Sequence, residues 1–415
     1  VHCDVCHRVE SIDPAAPPGV AGRLHLVRPS ESAPITLGAG GLLPLTFGPG
    51  YDSPNPRMGS VQRDHYRNGA ICQGCHQLDA APRLPGAALD RARWPDGTLP
   101  LQSTFAEWQA SPYADIAPCQ SCHMPPEPAV SNSADLQAFP AADIGLQGGW
   151  LRAPGTVRRH SWTGPRFDDT LLNLAAAVFI DKSVADGVLT AQVTVQNVGA
   201  GHALPTGEPL RHLLLTVEAR CADAPLAPIG GEALPAFAGA IAGKPAGADW
   251  RDWPEARVGD VIRVVRRPGG FRDYTGFGPF GDRFRPEEKG LPIEEAAGQA
   301  TVLEVEPLVL SNELPEGDQA WLTRGPALAG APGAAFARVL VDPEGQQMVP
   351  HFAAVDVARD NRLLPGARST SEHRFAADCA EPIVEAHLIY RPWPEALRVE
   401  RRFVPRERVI AEARR

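Results

Sequence analysis

The chain has 415 residues, of which 43% are hydrophobic and 21% are charged, as is typical of folded globular proteins rather than of disordered ones. Its formal net charge of -9 argues against a nucleic acid as partner, because binding phosphates requires a basic surface. No apolar run approaches the roughly 18 residues of a membrane-spanning helix, so the sequence predicts no membrane span. The 43 prolines and 40 glycines predict short elements with long irregular connections.

The first part of the chain is rich in proline and has little sustained periodicity. Its clearest helix prediction is the stretch STFAEWQASP, which ends at Pro112. We expect residues 1–170 to form one domain with short helices and little regular structure.

From about Asp186 the pattern changes. In VLTAQVTVQNV, apolar and polar residues alternate from Leu189 to Gln196, which predicts a half-buried strand. The further predicted strands are HLLLTVEARC, ATVLEVEPLVL, AFARVLVDPEG, FAAVDVARD and PIVEAHLIYRP. Together they predict an antiparallel β-sandwich of immunoglobulin-like type over residues 186–415. Residues 227–290, rich in Gly, Pro, Arg and aromatics, predict a long inserted loop that is functional or part of an interface.

The motif Cys-x-x-Cys-His occurs three times, as CDVCH, CQGCH and CQSCH. Its residues are Cys3, Cys6 and His7, then Cys72, Cys75 and His76, then Cys119, Cys122 and His123. This motif is the attachment signature of c-type haem. Each cysteine can form a thioether with one vinyl group, and the histidine then lies under the iron as its proximal ligand. The sequence therefore predicts three haem c groups.

Other interpretations of the motif explain less. Zinc ribbons need Cys-x-x-Cys pairs in twos and do not need a histidine after each pair. A thioredoxin-like motif would occur once, beside a βαβ pattern that is absent here. Covalent attachment of haem takes place outside the cytoplasm, so we expect an extracytoplasmic protein in the periplasm, at the cell surface or in the extracellular space.

Three histidines are candidates for the distal position on an iron, opposite the proximal ligand. His65 lies in a polar, turn-prone stretch just before the second motif, and His160 lies in VRRHSWTGPRF at the end of the haem region. His202 lies in NVGAGHALPTG, where Gly201, Pro205 and neighbouring glycines predict a rigid turn of low bulk. Such a turn lets the backbone approach a flat cofactor closely. For each of them, a turn or loop histidine without a ligand role is the simpler alternative.

The remaining histidines and methionines are weaker candidates. We expect His2, His25 and His373 at the surface, and His212 and His387 on strands. The role of His351 stays open. Met58 is a minor candidate for a distal ligand, whereas Met124 directly follows a proximal histidine and so points away from the far side of that haem.

The sequence resembles a family of multihaem c-type cytochromes in which a β-sandwich follows the haem region. The matching stretches are GSVQRDHYRNGAICQGCHQ, STFAEWQASPYADIAPCQSCHMP, RRHSWTG, NVGAGHALPTGEPLR, RDNRLLPGARST and LIYRPWP. The resemblance implies closely packed bis-histidine haems used for electron transfer, with His65, His160 and His202 at the distal positions. It also implies redox proteins or other cytochromes as partners, and some relatives polymerise into extracellular filaments with haems aligned across subunits.

The first motif begins at Cys3, only two residues into the sequence. A covalent site so close to a natural terminus would have little chain on one side to cover it. We therefore expect the sequence to begin inside a longer protein; the alternative is that a leader has been removed. Members of the resembled family commonly carry a further haem motif upstream of this segment, so the haem count of the natural protein stays open.

The two remaining cysteines, Cys221 and Cys379, lie next to predicted strands. In an oxidising compartment a disulfide between them would join distant parts of the predicted sandwich. The alternative is two separate buried thiols.

Two functions are compatible with these features. The first is electron transfer through the three haems, either alone or as a subunit of a larger or polymeric cytochrome assembly. This function needs no catalytic residues. The second is an enzyme that reduces or oxidises a small nitrogen or sulfur compound at a five-coordinate haem. In that case the arginine-rich segment from Arg251 to Arg285 could line an anion pocket, although arginines that pair with haem propionates are the simpler interpretation.

Overall fold

The computed structural model describes most of the chain. The described residues are 3–18, 22–27, 35–36, 42–43, 45–50, 59–129, 153–166, 168–244, 256–265, 284–286, 299–302, 319–323, 327–404 and 406–415. Residue contacts divide the chain into two compact units. The first unit consists of Val1–Ala80 and Pro100–Leu172, and the second of Ala81–Leu99 and Asn173–Arg415. The predicted domain limits, 1–170 and 186–415, stay predictions.

In the part of the first unit that the structure describes, the regular elements are few and short. Its described helices are α1 (Cys3–His7), α2 (Ala70–His76), α3 (Thr104–Gln109) and α4 (Cys119–His123). Its strands are β1 (Val9–Ile12), β2 (Leu24–Leu26), β3 (Ile35–Thr36), β4 (Leu42–Leu43), β5 (Leu45–Gly48), β6 (Gly59–Gln62), β7 (Leu78–Ala80) and β8 (Leu99–Gln102). They pair only in twos, β1 with β2, β3 with β4, β5 with β6 and β7 with β8. The helix predicted in STFAEWQASP is α3.

The second unit is mostly strand. Its strands are β9 (Ala176–Ala185), β10 (Val188–Asn197), β11 (His212–Cys221), β12 (Ala224–Pro225), β13 (Pro228–Gly231), β14 (Ala240–Lys244), β15 (Val261–Val265), β16 (Phe284–Pro286), β17 (Gln299–Val302), β18 (Gln319–Thr323), β19 (Gly333–Val341), β20 (Asp356–Asp360), β21 (Arg368–Ala376), β22 (Ile383–Arg391) and β23 (Arg408–Arg414). Helix α5 (Thr170–Ala175) precedes them, and α6 (Glu395–Arg401) lies between β22 and β23.

Among the described residues, these strands form three antiparallel sheets. One has the order β13-β21-β10-β9, and a larger one has the order β20-β19-β11-β22-β23, with β12 paired to β11. The predicted alternation on β10 is present, since Leu189, Ala191, Val193 and Val195 are all fully buried while Gln192 is exposed. The arrangement of the two sheets as an immunoglobulin-like sandwich stays a prediction.

The third sheet lies partly in the segment that the sequence predicts to be a loop. It has the order β14-β18-β15-β17-β16. Within residues 227–290 the described parts therefore include strands β13 to β16 as well as connections. Runs such as VIRVV in β15 are short and stand among glycines and prolines, so their period-2 pattern is too brief to identify from sequence.

Residues 81–99 interrupt the first unit in sequence but bind to the second. The indole Nε1 of Trp94 donates a hydrogen bond to Oδ1 of Asp356 at 2.8 Å. The guanidinium of Arg93 pairs with Oδ2 of the same carboxylate, also at 2.8 Å, and donates to the carbonyl of Val357. Asp356 begins β20, which is an edge strand of the larger sheet. These contacts cover part of an edge that would otherwise expose unpaired backbone groups.

Cys221 and Cys379 form a disulfide in the second unit, with Cα atoms 6.1 Å apart.

The sequence predicted His373 at the surface, but this residue is fully buried on β21. It lies in the same phase as Ser371 and Phe375, and its two ring nitrogens are hydrogen-bonded to Ser371 Oγ and to the carbonyl of Glu232. His25 is exposed, as expected. In the part of the chain that the structure describes, no helix is long and apolar enough to cross a membrane.

Candidate functional site

Each of the three Cys-x-x-Cys-His motifs forms the end or the whole of a short helix, α1, α2 or α4. In a helix, residues separated by three or four positions lie on the same face. The two cysteines and the histidine of one motif are therefore presented together, as attachment of one flat cofactor requires. The side chain of Cys3 lies outside the described residues; Cys6, Cys72 and Cys119 are half-buried, and Cys75 and Cys122 are exposed.

Helix α2, which carries the second motif, packs closely against β2 through a glycine. A Cβ atom on Gly74 would lie 2.1 Å from Cδ2 of Leu24. The variable position of this motif therefore accepts no larger residue without displacement of Leu24, which is itself buried. This contact fixes the helix that positions Cys72, Cys75 and His76.

The second and third motifs meet at the beginnings of their helices. Gly69, which precedes α2, has a φ of +81°, and a Cβ there would lie 3.0 Å from Sγ of Cys119. The thiol of Cys72 donates a hydrogen bond to Cys119. This bond and burial raise the pKa of Cys72, whereas accepting the bond lowers the pKa of Cys119 although burial opposes that change. The amide of Gln120 also donates to the carbonyl of Tyr66 at 3.0 Å. The first cysteines of two attachment motifs are thus neighbours.

His7, the proximal candidate of the first motif, is oriented by two contacts. Its Nδ1 donates a hydrogen bond to the carbonyl of Phe47 at 2.8 Å, so its lone pair is on Nε2. The ring of Tyr66 stacks on it with centroids 5.9 Å apart and planes inclined by 10°. The Tyr66 hydroxyl donates to the carbonyls of Cys6 and Val9. A hydrogen bond from the second ring nitrogen to a carbonyl is the usual companion of a metal-binding histidine.

His160 faces His7. The centroids of the two imidazole rings are 6.3 Å apart and their planes are inclined by 39°. Transition-metal ions bind imidazole nitrogen at about 2 Å, so one metal held between two rings separates their centroids by roughly 6 Å. Burial and the nearby His7 lower the pKa of His160, which favours the neutral imidazole that binds metals. Of the three distal candidates, His160 is therefore the one whose ring lies at a suitable distance from the ring of His7.

His65 contacts Tyr66, with ring centroids 4.5 Å apart, and its pKa is lowered by burial. Its Nε2 donates a hydrogen bond to the carbonyl of Val9 at 3.1 Å. The lone pair is then on Nδ1, and coordination through Nε2 would require this hydrogen bond to break.

The other two proximal candidates also have partners at Nδ1. Nδ1 of His123 donates to the carbonyl of Thr163 at 2.6 Å, in the segment that also carries His160. Nδ1 of His76 lies 3.4 Å from the side-chain amide of Gln102, at the end of β8. In all three motifs, the partner of Nδ1 lies far from the motif in sequence.

His202 lies in the second unit, in a loop fixed by a buried asparagine. Asn197, which is 1% exposed, donates to the carbonyls of His202 and Leu363 and accepts a hydrogen bond from the amide of Ala200. Leu204 exchanges backbone hydrogen bonds with Leu363, and Nδ1 of His202 donates to the carbonyl of Ala203 at 2.9 Å. The turn predicted in NVGAGHALPTG is therefore stabilised by hydrogen bonds to Asn197 and to Leu363.

The structure also locates the weaker candidates. His351 is half-buried, with Nδ1 3.4 Å from Glu208, and His212 is fully buried on β11. His2 and Met58 lie outside the described residues, as does most of the segment from Arg251 to Arg285.

Sequence reasoning missed two residues near the motifs. Tyr66 follows His65 directly, and an aromatic residue beside a candidate ligand could have been singled out. Arg23 donates hydrogen bonds to backbone carbonyls on both sides of His76. It lies 50 residues before Gln73, and no sequence pattern links it to the motif.

No protein-family model matches this chain, and no curated protein matches it. Among solved structures, it is similar to a penta-haem cytochrome c552 from Thermochromatium tepidum, with a TM-score of 0.49 and 16% sequence identity. The alignment covers 100% of this chain and 76% of that chain.

Proposed function

We propose that this protein transfers electrons through three covalently bound haem c groups. The thioether positions are Cys3 and Cys6, Cys72 and Cys75, and Cys119 and Cys122, and the proximal ligands are His7, His76 and His123. The observation that carries the proposal is the pair formed by His7 and His160, whose ring spacing suits two axial ligands of one iron. The lowered pKa of His160 favours the neutral form that such a ligand needs. Two imidazole ligands favour low-spin haem that changes oxidation state without binding a substrate.

The remaining distal positions are assigned from the sequence. We assign His160 to the haem of the first motif, and His65 and His202 to the other two haems. When bound, each haem supplies an iron that alternates between the ferric and ferrous states. The chain contributes orientation: the carbonyls of Phe47 and Thr163 accept hydrogen bonds from Nδ1 of His7 and His123, so that Nε2 of each ring would be left to bind the iron.

The contact between the second and third motifs supports transfer from haem to haem. Cys72 and Cys119 are hydrogen-bonded, so two haems attached there would have adjacent vinyl edges. We propose other redox proteins as the source and acceptor of electrons, with further copies of this chain as one such partner in a polymer. An extracytoplasmic location follows from covalent haem attachment, and the Cys221–Cys379 disulfide suits an oxidising compartment.

The test is the spin state of the iron. The holoprotein should contain three haems, all low-spin in both oxidation states, with spectra that do not change on addition of CO, cyanide or nitrite. Replacing His160 by alanine should convert one third of the haem to a high-spin form that binds CO. His25→Ala is the matched control, because His25 is an exposed histidine of the same unit.

Two outcomes would count against the proposal. A wild-type protein with a high-spin haem that binds nitrite or cyanide would favour the enzyme. A His160→Ala protein with unchanged spectra would show that His160 is not a ligand. The same measurement on His65→Ala and His202→Ala tests the remaining two assignments.

A further inference from the structure

Arg23 is a buried cation in the first unit. It directly precedes β2, and only 6% of its surface is exposed. Nε donates to the carbonyl of Ala16 at 3.1 Å, and Nη1 donates to the carbonyls of Gln73 and Gln77 at 3.0 and 2.6 Å. The last two carbonyls belong to the final turn of α2 and the residue after it, so they flank His76.

The acceptors in these three bonds are neutral carbonyl oxygens. The guanidinium group of arginine stays protonated in proteins. These bonds satisfy the donors of Nε and Nη1 without cancelling the charge. Because the group is shielded from water, its field acts on its surroundings with less screening than that of a surface arginine.

We propose that Arg23 raises the reduction potential of the haem attached at Cys72 and Cys75. This inference rests on the proposed function, since it requires a haem at the second motif. The reaction is uptake of one electron by the ferric iron from a reduced redox partner, with no bond made or broken. Oxidation adds one positive charge to the haem, and a fixed positive charge nearby disfavours that state. With Arg23 present, this haem would therefore be easier to reduce than without its charge.

A purely structural role is the alternative, because cations commonly bind the last carbonyls of a helix and stabilise its end. The two roles differ in what a lysine can do. Arg23→Lys keeps the charge but loses the planar arrangement of donors, whereas Arg23→Gln keeps hydrogen-bonding capacity and loses the charge. An electrostatic role depends on the charge, and a structural role depends on the donors.

The experiment is a spectroelectrochemical titration of the three-haem protein and its variants. In Arg23→Gln one of the three midpoint potentials should decrease. The haem content and the low-spin spectra should stay as in the wild type. Arg23→Lys should keep that potential near the wild-type value. Arg67→Gln is the control, since Arg67 also donates to a carbonyl of the first unit, that of Pro49, but is exposed. This substitution should leave all three midpoint potentials unchanged.

Three results would overturn the inference: no shift in Arg23→Gln, equal shifts in Arg23→Gln and Arg23→Lys, or an equal shift in Arg67→Gln. If Arg23→Gln fails to incorporate haem, Arg23→His replaces it, and one midpoint potential should then rise as the pH falls and the new imidazole becomes charged. A pH-independent midpoint would refute the role of charge. Failure of the proposed function itself would be visible earlier, as a wild-type protein without three low-spin couples.

Discussion

The two units of this chain maintain their folds by different means. In the second unit, β9, β10 and β11 are each ten residues long, and their apolar side chains are buried against neighbouring strands. In the first unit, β3 and β4 are two residues long, and α1 and α4 are five. Many of its long-range hydrogen bonds converge on the motif helices and their histidines. The difference indicates that the second unit depends on its own core, whereas the first depends on the cofactors that it is proposed to hold.

Removal of one haem should have the largest effect on this contrast. In the variant Cys72→Ala/Cys75→Ala we expect the first unit to lose most of its protection from exchange, because the haem proposed to be attached there, and the apolar contacts it would make, would be missing. The second unit should keep its strands. Hydrogen exchange, followed separately for the two units, would measure this. A first unit that stays fully protected without that haem would mean that its side chains suffice, and the contrast would fail.

Acid should weaken the second unit through two buried histidines. Burial lowers the pKa of His212 and of His373 to about 4, from an ordinary value of 6.5. As the pH falls from about 6.5 to 4, the unfolded chain binds more protons than the folded chain, so the free energy of unfolding decreases. The full loss is about 3 kcal/mol for each histidine.

Urea unfolding of the second unit at pH 7.5 and at pH 4.5 would measure this loss. Nε2 of His212 has no hydrogen-bond partner among the described residues, so His212→Leu should fold and should lose part of the pH dependence. His387→Gln, on a neighbouring strand, is the control. An unchanged pH dependence in His212→Leu would contradict the assignment to His212.

Loss of the disulfide should have a smaller effect, again confined to the second unit. Cys221 and Cys379 are separated by 158 residues, and such a crosslink stabilises by about 2–4 kcal/mol, chiefly by restricting the unfolded chain. Cys221→Ser/Cys379→Ser should lower the unfolding midpoint of the second unit while the haem spectra stay unchanged. Changed haem spectra would contradict an effect confined to the second unit.

Sequence reasoning reached the features that depend on local pattern. The three motifs could be read directly, and β10 followed from the alternation that begins at Leu189. The burial of His373 was missed, although the signal was present: His373 is in phase with Phe375, while Glu372 and Arg374 occupy the opposite face. Whether a polar residue can be buried on a strand depends on its hydrogen-bond partners. The partner Ser371 can be recognised only once residues 371 and 373 are known to share one face of a strand.

The pairings between distant segments could not be read from the sequence. His7 and His160 come together only through the fold of the first unit. Arg23 resembles any loop arginine until the end of α2 is placed beside it. Sequence reasoning therefore identified candidate ligands, and the fold was needed to say which of them face each other and what charge lies nearby.

The binding of Trp94 and Arg93 to Asp356 has a practical consequence for dissecting the molecule. An expression fragment that ended at Leu172 would contain residues 81–99 but not the sheet edge that they cover. Their indole and guanidinium groups would then face solvent in a segment with nothing to bind. Replacing that segment by a short flexible linker would therefore remove these unpaired side chains from a fragment of the first unit.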